Sequence, residues 1–252
     1  MKALSHLLQS IACLWLAVGM VSPLHGGVII NSYFFTSGGG GGGSDPYFAS
    51  VLLLLHCDGT NGSTTYTDSS TYTRTVTAYN GAALSTTSPK YGTASSLHDG
   101  TDDYVDVAAS ASYVFGTSTD FTVEFWLYAD STDSASCGIG QSSGSYVVIS
   151  GGNLYAGNGR QNLCSASYTG YYDKWTHIAF SRSGATPRLF CDGNLVSTGV
   201  NYDWGSNATI RIMSSPVVGG YGKGKIDDLR ITTGVARYTA AFTPPAAAFP
   251  DS

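Results

Sequence analysis

The stretch Gly224-Lys225-Ile226-Asp227-Asp228-Leu229-Arg230-Ile231 places two carboxylates in the middle of what otherwise reads as a closing strand. Aspartate is disfavoured inside strands, and a carboxylate taken out of water needs a partner. A bound cation or an arginine is the natural one. A second group of residues able to do chemistry is aromatic: Tyr171, Tyr172, Tyr202, Trp204 and Tyr221 lie in segments rich in Gly, Asn and Asp. Such rings can stack on the C–H faces of sugars while their polar edges stay wet, or they can pack under loops and at sheet edges. Acid–base and thiol chemistry are thinly represented. Glu124 is the only glutamate, and the five cysteines form neither a Cys-x-x-Cys pair nor a Cys/His cluster, which argues against a cysteine-bound metal. No nucleophile elbow is expected.

The elements that must position these residues are strands. Gly, Ser, Thr and Tyr are abundant in the 252 residues and strong helix formers are scarce, so a helical bundle is excluded. Phe121 to Tyr128 alternates, with Phe121, Val123, Phe125 and Leu127 on one face and Thr122, Glu124, Trp126 and Tyr128 on the other; the first face should be core. Trp175 to Ser181 alternates in the same way, with Thr176, Ile178 and Phe180 opposite Trp175, His177 and Ala179. Val51 to Leu55 is a continuous apolar run suited to a strand buried on both faces. Arg188 to Val196 reads as a hairpin closed by Asp192-Gly193, where glycine supplies the positive φ of a tight turn. Further strands are expected at Tyr146–Ile149, Asn153–Ala156, Ile210–Met213 and Lys225–Ile231. Many short strands in one long domain imply two packed antiparallel sheets, an all-β jelly-roll sandwich.

Met1-Lys2 and the apolar stretch Leu7 to Val21, short for a membrane span, resemble a secretory signal peptide. Residues 1–26 are read as that signal peptide or a hydrophobic N-terminal segment, 27–46 as a flexible linker around the glycine run Gly38 to Gly43, and 47–249 as the folded domain. Among the cysteines, Cys57 and Cys191 sit in strand-like apolar runs as small buried hydrophobes, and Cys137 with Cys164 is the pair to test for a disulfide. Charged residues make up 12% of the chain and the net charge is −5, so the basic stripe that a phosphate backbone requires is missing and nucleic acid is not an expected partner.

Six motifs occur in order: Leu53 to Thr60, Leu97 to Val105, Phe121 to Trp126, Trp175 to Ala179, Leu189 to Gly193 and Gly224 to Ile231. Together they resemble the laminin G-like members of the concanavalin A-like lectin/glucanase superfamily. Asp45-Pro46-Tyr47 ahead of the first strand and Ala236-Arg237-Tyr238 near the end look similar to domains of tailed-phage virion proteins and prophage regions. The resemblance implies a structural calcium ion at the sandwich edge, and the matching positions are Asp58, Asp99 and Asp227, with Asn61, Asp68 and Asp228 as further candidates; the same aspartates also suit turns. Glucanases of the superfamily use two glutamates in a Glu-x-Asp-x-x-Glu strand, an arrangement absent here, so no enzyme activity is expected. The expectation is a non-catalytic recognition or adhesion module, secreted or on a virion, that binds glycans or a surface protein, with no lasting membrane span. The alternative is a structural virion or cell-surface component without a small ligand, which a broad apolar patch around Trp126 and Tyr128 would favour. A glycoside hydrolase is the third reading.

Overall fold

A computed structural model describes residues 43–132, 137–159 and 161–252, with Cys137 known only by its backbone. The hydrophobic N-terminal segment, residues 1–26, and most of the linker lie outside these residues. The strands are β1 (Val51–Leu55), β2 (Val76–Tyr79), β3 (Ala83–Ser85), β4 (Ser95–Asp99), β5 (Tyr104–Val107), β6 (Phe121–Ala129), β7 (Cys137–Gln141), β8 (Tyr146–Ser150), β9 (Asn153–Asn158), β10 (Gln161–Ser167), β11 (Trp175–Ser183), β12 (Thr186–Cys191), β13 (Asn194–Thr198), β14 (Ile210–Ile212) and β15 (Lys223–Thr233). They form one sheet in the order β13-β12-β11-β6-β15-β4-β3, to which β1 adds beside β15, and a second in the order β10-β9-β8-β7-β14-β5-β2. The described residues thus make the expected sandwich of two antiparallel sheets.

Alternation decides which side chains meet between the sheets. Phe121, Val123, Phe125 and Leu127 of β6 and Ile178 and Phe180 of β11 are fully buried in the main core, as their period of two requires. Facing them are Val105, Val107, Ile139, Val147, Ile149, Ile210 and Ile212 of the second sheet. Each large side chain withdrawn there stabilises the fold by about 1.5–3 kcal/mol. All five residues of β1 are buried, and the Asp192-Gly193 turn between β12 and β13 has φ of 47° and 74°, the paired positive values of a two-residue hairpin.

The outer face of the eight-stranded sheet is also covered. The chain after β15 returns across it, so that Tyr238 and Phe242 stack at 3.6 Å and Phe242 packs on Phe190 and His177. Trp126 is 4% exposed, with the Lys90 ammonium 3.7 Å from its ring centroid and Tyr91 edge-on to it. Around Trp126, the apolar surface that would favour a structural component is therefore closed by the chain itself.

Two expectations are corrected. Cys164 is a free, buried thiol, as are Cys57 and Cys191. Cys164 lies on β10 and Cys137 on β7, with β8 and β9 between them. Three strand spacings of roughly 4.8 Å exceed the Cα separation a disulfide can span. Trp204, expected in a ligand-contacting loop, is 3% exposed and stacks on Phe121 and Phe115 with centroids 4.9 and 5.8 Å away. An isolated bridge between Gly116 and Trp204 draws its backbone inward and turns the indole into the core.

Candidate functional site

The carboxylates of β15 find partners other than those the sequence suggests. β15 pairs with β4 through Lys223–Ile226 and with β1 through Leu229–Thr232, so two strands follow one another along the same edge and the junction falls at Asp227-Asp228. The register against β6 shifts there and Asp228 takes φ 48°, the mark of a bulge. At this junction Asp227 accepts the amides of Lys90 and Tyr91 at 2.8 and 3.1 Å through Oδ2. Asp228 accepts the amide of Phe249 at 2.8 Å and pairs with Nδ1 of His56 at 2.7 Å. One aspartate thereby pins the loop before β4, the other the returning C-terminal segment. Burial pushes the Asp227 carboxyl up to about 7, and its Oδ1 has no hydrogen-bond partner.

Glu124 lies on the same outer face and is fully buried. Arg230 donates to its Oε1 at 2.8 and 3.0 Å, and the Tyr238 hydroxyl to its Oε2 at 2.7 Å. Arg230 and Arg237 both reach Asp45 as well. Burial alone would raise the Glu124 carboxyl, but the Arg230 charge overrides it and holds the group well below the usual carboxylate range. A carboxylate this tightly bound and this far from solvent is a structural ion-pair centre rather than a catalytic acid. His177 sits beside it, Nε2 3.4 Å from Oε2, enclosed by the rings of Trp126, Tyr238 and Phe242.

An accessible site lies instead on the loops. Ser142–Ser145 between β7 and β8, Asn158 at the end of β9 and Gly159 after it, Tyr202, Asp203, Gly205 and Ser206 before β14, and Val217 after it surround an open depression of about 480 Å³. Its walls are cross-linked: the Gly205 amide donates to Ser145 Oγ at 2.8 Å, Gln141 Nε2 to the Ser206 carbonyl at 2.9 Å, and Asn158 Nδ2 to the Asp203 carbonyl at 2.9 Å. The segment bearing Tyr202 is anchored from below by Arg182. Its buried guanidinium donates to the carbonyls of Gly116, Phe115, Thr119 and Tyr202 at 2.6–3.1 Å. Hydroxyls, a carboxylate, an amide and one tyrosine ring thus line a preformed hollow, a lining suited to hydrogen-bonding and stacking on a polyol.

Of the aromatic residues singled out from sequence, Tyr202 lines this depression. Tyr171 and Tyr172 are half-buried and pack on Tyr168, with centroids 5.5 and 5.1 Å away. Tyr221 stacks beside Tyr104 at 6.2 Å. Ser142, Ser143, Asn158, Asp203 and Ser206 were not singled out. The available signal was the hydroxyl-rich turn Gly140-Gln141-Ser142-Ser143-Gly144, which does fit the Gly-x-Ser-x-Gly pattern. Here it joins β7 to β8, whereas a nucleophile elbow leads from a strand into a helix, so no elbow is formed.

The three aspartates matched to a calcium site do not converge. Asp58 is bound to the amide and hydroxyl of Thr93, Asp227 is buried at the bulge, and Asp99 accepts the Thr101 amide at 2.7 Å. Among the described residues, the acidic group whose ligand atoms lie within 4.8 Å of one another is Asp99, Asp102 and Asp103. In that group both Asp103 oxygens already accept amides, from Gly81 and Asp99. Asp58, Asp99 and Asp227 therefore do not fit a single ion. Asp68, a further candidate, accepts the amides of Leu54, Ser70 and Arg74 and organises its own turn.

Two stacked antiparallel sheets with a loop-lined hollow define a lectin-type sandwich. Residues 99–237, more than half of the chain, match the laminin G-type family model of the concanavalin A-like lectin/glucanases superfamily, and the chain belongs to that superfamily. No curated protein matches it. Among solved structures, it is similar to the binding domain of Paraclostridial Mosquitocidal Protein 1, with 14% identity and a TM-score of 0.57 over 76% of this chain and 50% of that one. It is also similar to the binding domain of botulinum neurotoxin serotype D, with 19% identity and a TM-score of 0.54 over 75% and 49%. Domain 4 of AbnA, a GH43 extracellular arabinanase from Geobacillus stearothermophilus solved with arabinotriose, gives 16% identity and a TM-score of 0.54 over 74% and 94%. The chain spans about half the length of the toxin binding domains it matches. At these identities the likeness is one of fold.

Proposed function

We propose that this chain is a non-catalytic recognition module that binds glycans at the depression formed by Ser142–Ser145, Asn158, Tyr202, Asp203, Gly205, Ser206 and Val217. The observation that carries the reading is the lining of that hollow, with its hydroxyls, one carboxylate and one ring on loops cross-linked before any ligand arrives. Preordered polar groups lower the entropy lost on binding. The burial of Glu124 beneath Tyr238 supports the non-catalytic part. Such a module would work at an extracellular or virion surface, and among the described residues no helix is long and apolar enough to cross a membrane. Calcium remains part of the proposal only at Asp99, Asp102 and Asp103.

The test is a glycan array followed by calorimetry on Tyr202→Ala. Loss of the ring should raise Kd about tenfold, and an array hit whose affinity is unchanged in the variant would remove the depression from consideration. A second reading, a structural component of a virion or cell surface, is favoured by β13. This strand ends the eight-stranded sheet and is followed by Val200 at 64% exposure, while its own Leu195 is 42% exposed. A concentration-dependent assembly abolished by Leu195→Lys, together with a blank array, would select that reading.

A further inference from the structure

The other end of the seven-stranded sheet carries an aromatic array that the depression does not use. On β5 and β14, Val105, Val107, Ile210 and Ile212 point into the core, so Tyr104, Asp106 and Arg211 point outward. Tyr79 lies directly opposite Tyr104 in the β2–β5 ladder, and the two rings stack at 4.7 Å with an interplanar angle of 16°. Tyr221 lies beside Tyr104, with centroids 6.2 Å apart and planes at 28°. Arg211 lays its guanidinium 3.8 Å from the Tyr104 centroid and is held there by a two-pronged pair with Asp106 at 2.8 and 3.0 Å. Tyr79 is 40% exposed, on the strand that ends this sheet.

We propose that Tyr79, ordered from behind by Tyr104, Arg211 and Asp106 and neighboured by Tyr221, forms a second ligand site whose outward ring face stacks a neutral pyranose residue of a glycan. Three properties of the array select this ligand class. Asp106 cancels the charge of Arg211, so the platform offers no net attraction to an acidic sugar or a phosphate. Tyr104 is occupied by Tyr79 and the Arg211 guanidinium, so a flat C–H face meets the outward side of Tyr79 on the edge strand, a ring already ordered by the stack behind it. Its extent is a ring or two, far below the roughly 800 Å² per partner of a stable protein interface, yet matched to one sugar. The tyrosine hydroxyls and the Arg211–Asp106 pair supply the polar rim that a sugar's hydroxyls need. The site shares no residue with the depression and stands or falls without it.

The experiment is an NMR titration of the full chain with lactose, cellobiose, maltose and 3′-sialyllactose, following the tyrosine ring resonances assigned through single Tyr→Phe variants. A neutral sugar should shift the Tyr79 and Tyr104 resonances. Its Kd should rise about tenfold in Tyr79→Ala, rise less in Tyr79→Phe, which keeps the ring and loses the hydroxyl, and stay near the parent value in Tyr202→Ala. Arg211→Lys, which keeps the charge but loses the planar stack, should weaken binding in the same direction with an unchanged melting temperature for the fold. No ring shift with any neutral sugar at millimolar concentration would overturn the proposal, as would equal affinity in Tyr79→Ala. Preference for the sialylated sugar would overturn the neutral class. Binding lost in Tyr202→Ala but kept in Tyr79→Ala would overturn this site while leaving the depression standing.

Discussion

Asp227 is the residue where sequence and structure meet most directly. Its position inside a strand signalled that it must be bound to something, and the partners turn out to be two backbone amides on one oxygen, while the other oxygen is buried without a hydrogen bond. Burial raises the carboxyl from an ordinary 3.8 to about 7. A carboxyl raised in the folded state contributes stability that is fully present below its unfolded value and is lost as pH rises through about 7. Asp227→Asn keeps an acceptor for the two amides and removes the charge. It should match the parent near pH 4 and exceed it by up to about 4 kcal/mol at pH 8, measured by urea unfolding across that range. Equal stability at pH 8 would mean that the carboxylate has a partner, such as a cation, in solution. Glu124 is the opposite case. Its isolation as the single glutamate was plain in the sequence, but nothing local announced that Arg230 and Arg237, far away in the chain, would converge on it, with Asp45 pairing the same two arginines.

At the scale of elements, alternation located β6 and β11, because each has one core face and one covered or polar face, and the Asp192-Gly193 turn located the β12–β13 hairpin. Alternation passed over β3, β4, β7 and β10, whose residues are largely small, polar or interrupted by glycine, and over β2 and β5, whose alternation runs for only four residues. β15 shows a subtler limit. Ile226, Leu229 and Ile231 all point into the core and Asp227 and Arg230 both point out, a pattern that period two forbids until the bulge at Asp228 supplies the extra residue. The hairpin turn also does more than reverse the chain. Gly193 accepts the Phe242 amide at 2.9 Å, and a Cβ at Gly193 would strike the Phe242 carbonyl. Gly193→Ala should therefore cost about 2 kcal/mol from the left-handed backbone alone, and it should loosen the returning segment. Faster hydrogen exchange at the Phe242 amide, beyond that of the β11–β12 ladder, is the expected reading; uniform acceleration would show that the turn acts only on global stability.

At the scale of the whole molecule, the centre of one sheet is covered on both faces, while the other carries the tyrosine row on its outer face and the hollow among its loops. Asp45 ties the start of the described domain to its end, through its own amide to the Ser252 carbonyl and through its carboxylate to Arg230 and Arg237. Calcium belongs to this scale, because an ion held by Asp99, Asp102 and Asp103 would stabilise the folded state as a whole by mass action. A melting temperature that rises by several degrees in millimolar calcium, falls with chelator and does neither in Asp102→Asn is the expected outcome; indifference to both additions would remove the ion from the proposal. The amino-acid sequence by itself determined the all-β class, the core faces of the long strands, the tight hairpin and the absence of a glutamate pair, since each depends on near neighbours or on composition. Only the tertiary structure decided which aspartates converge, which tyrosines see solvent and where the hollow lies. Those properties come from contacts between segments tens to hundreds of residues apart, and a period of two or a turn signature carries no information about which distant segment will arrive.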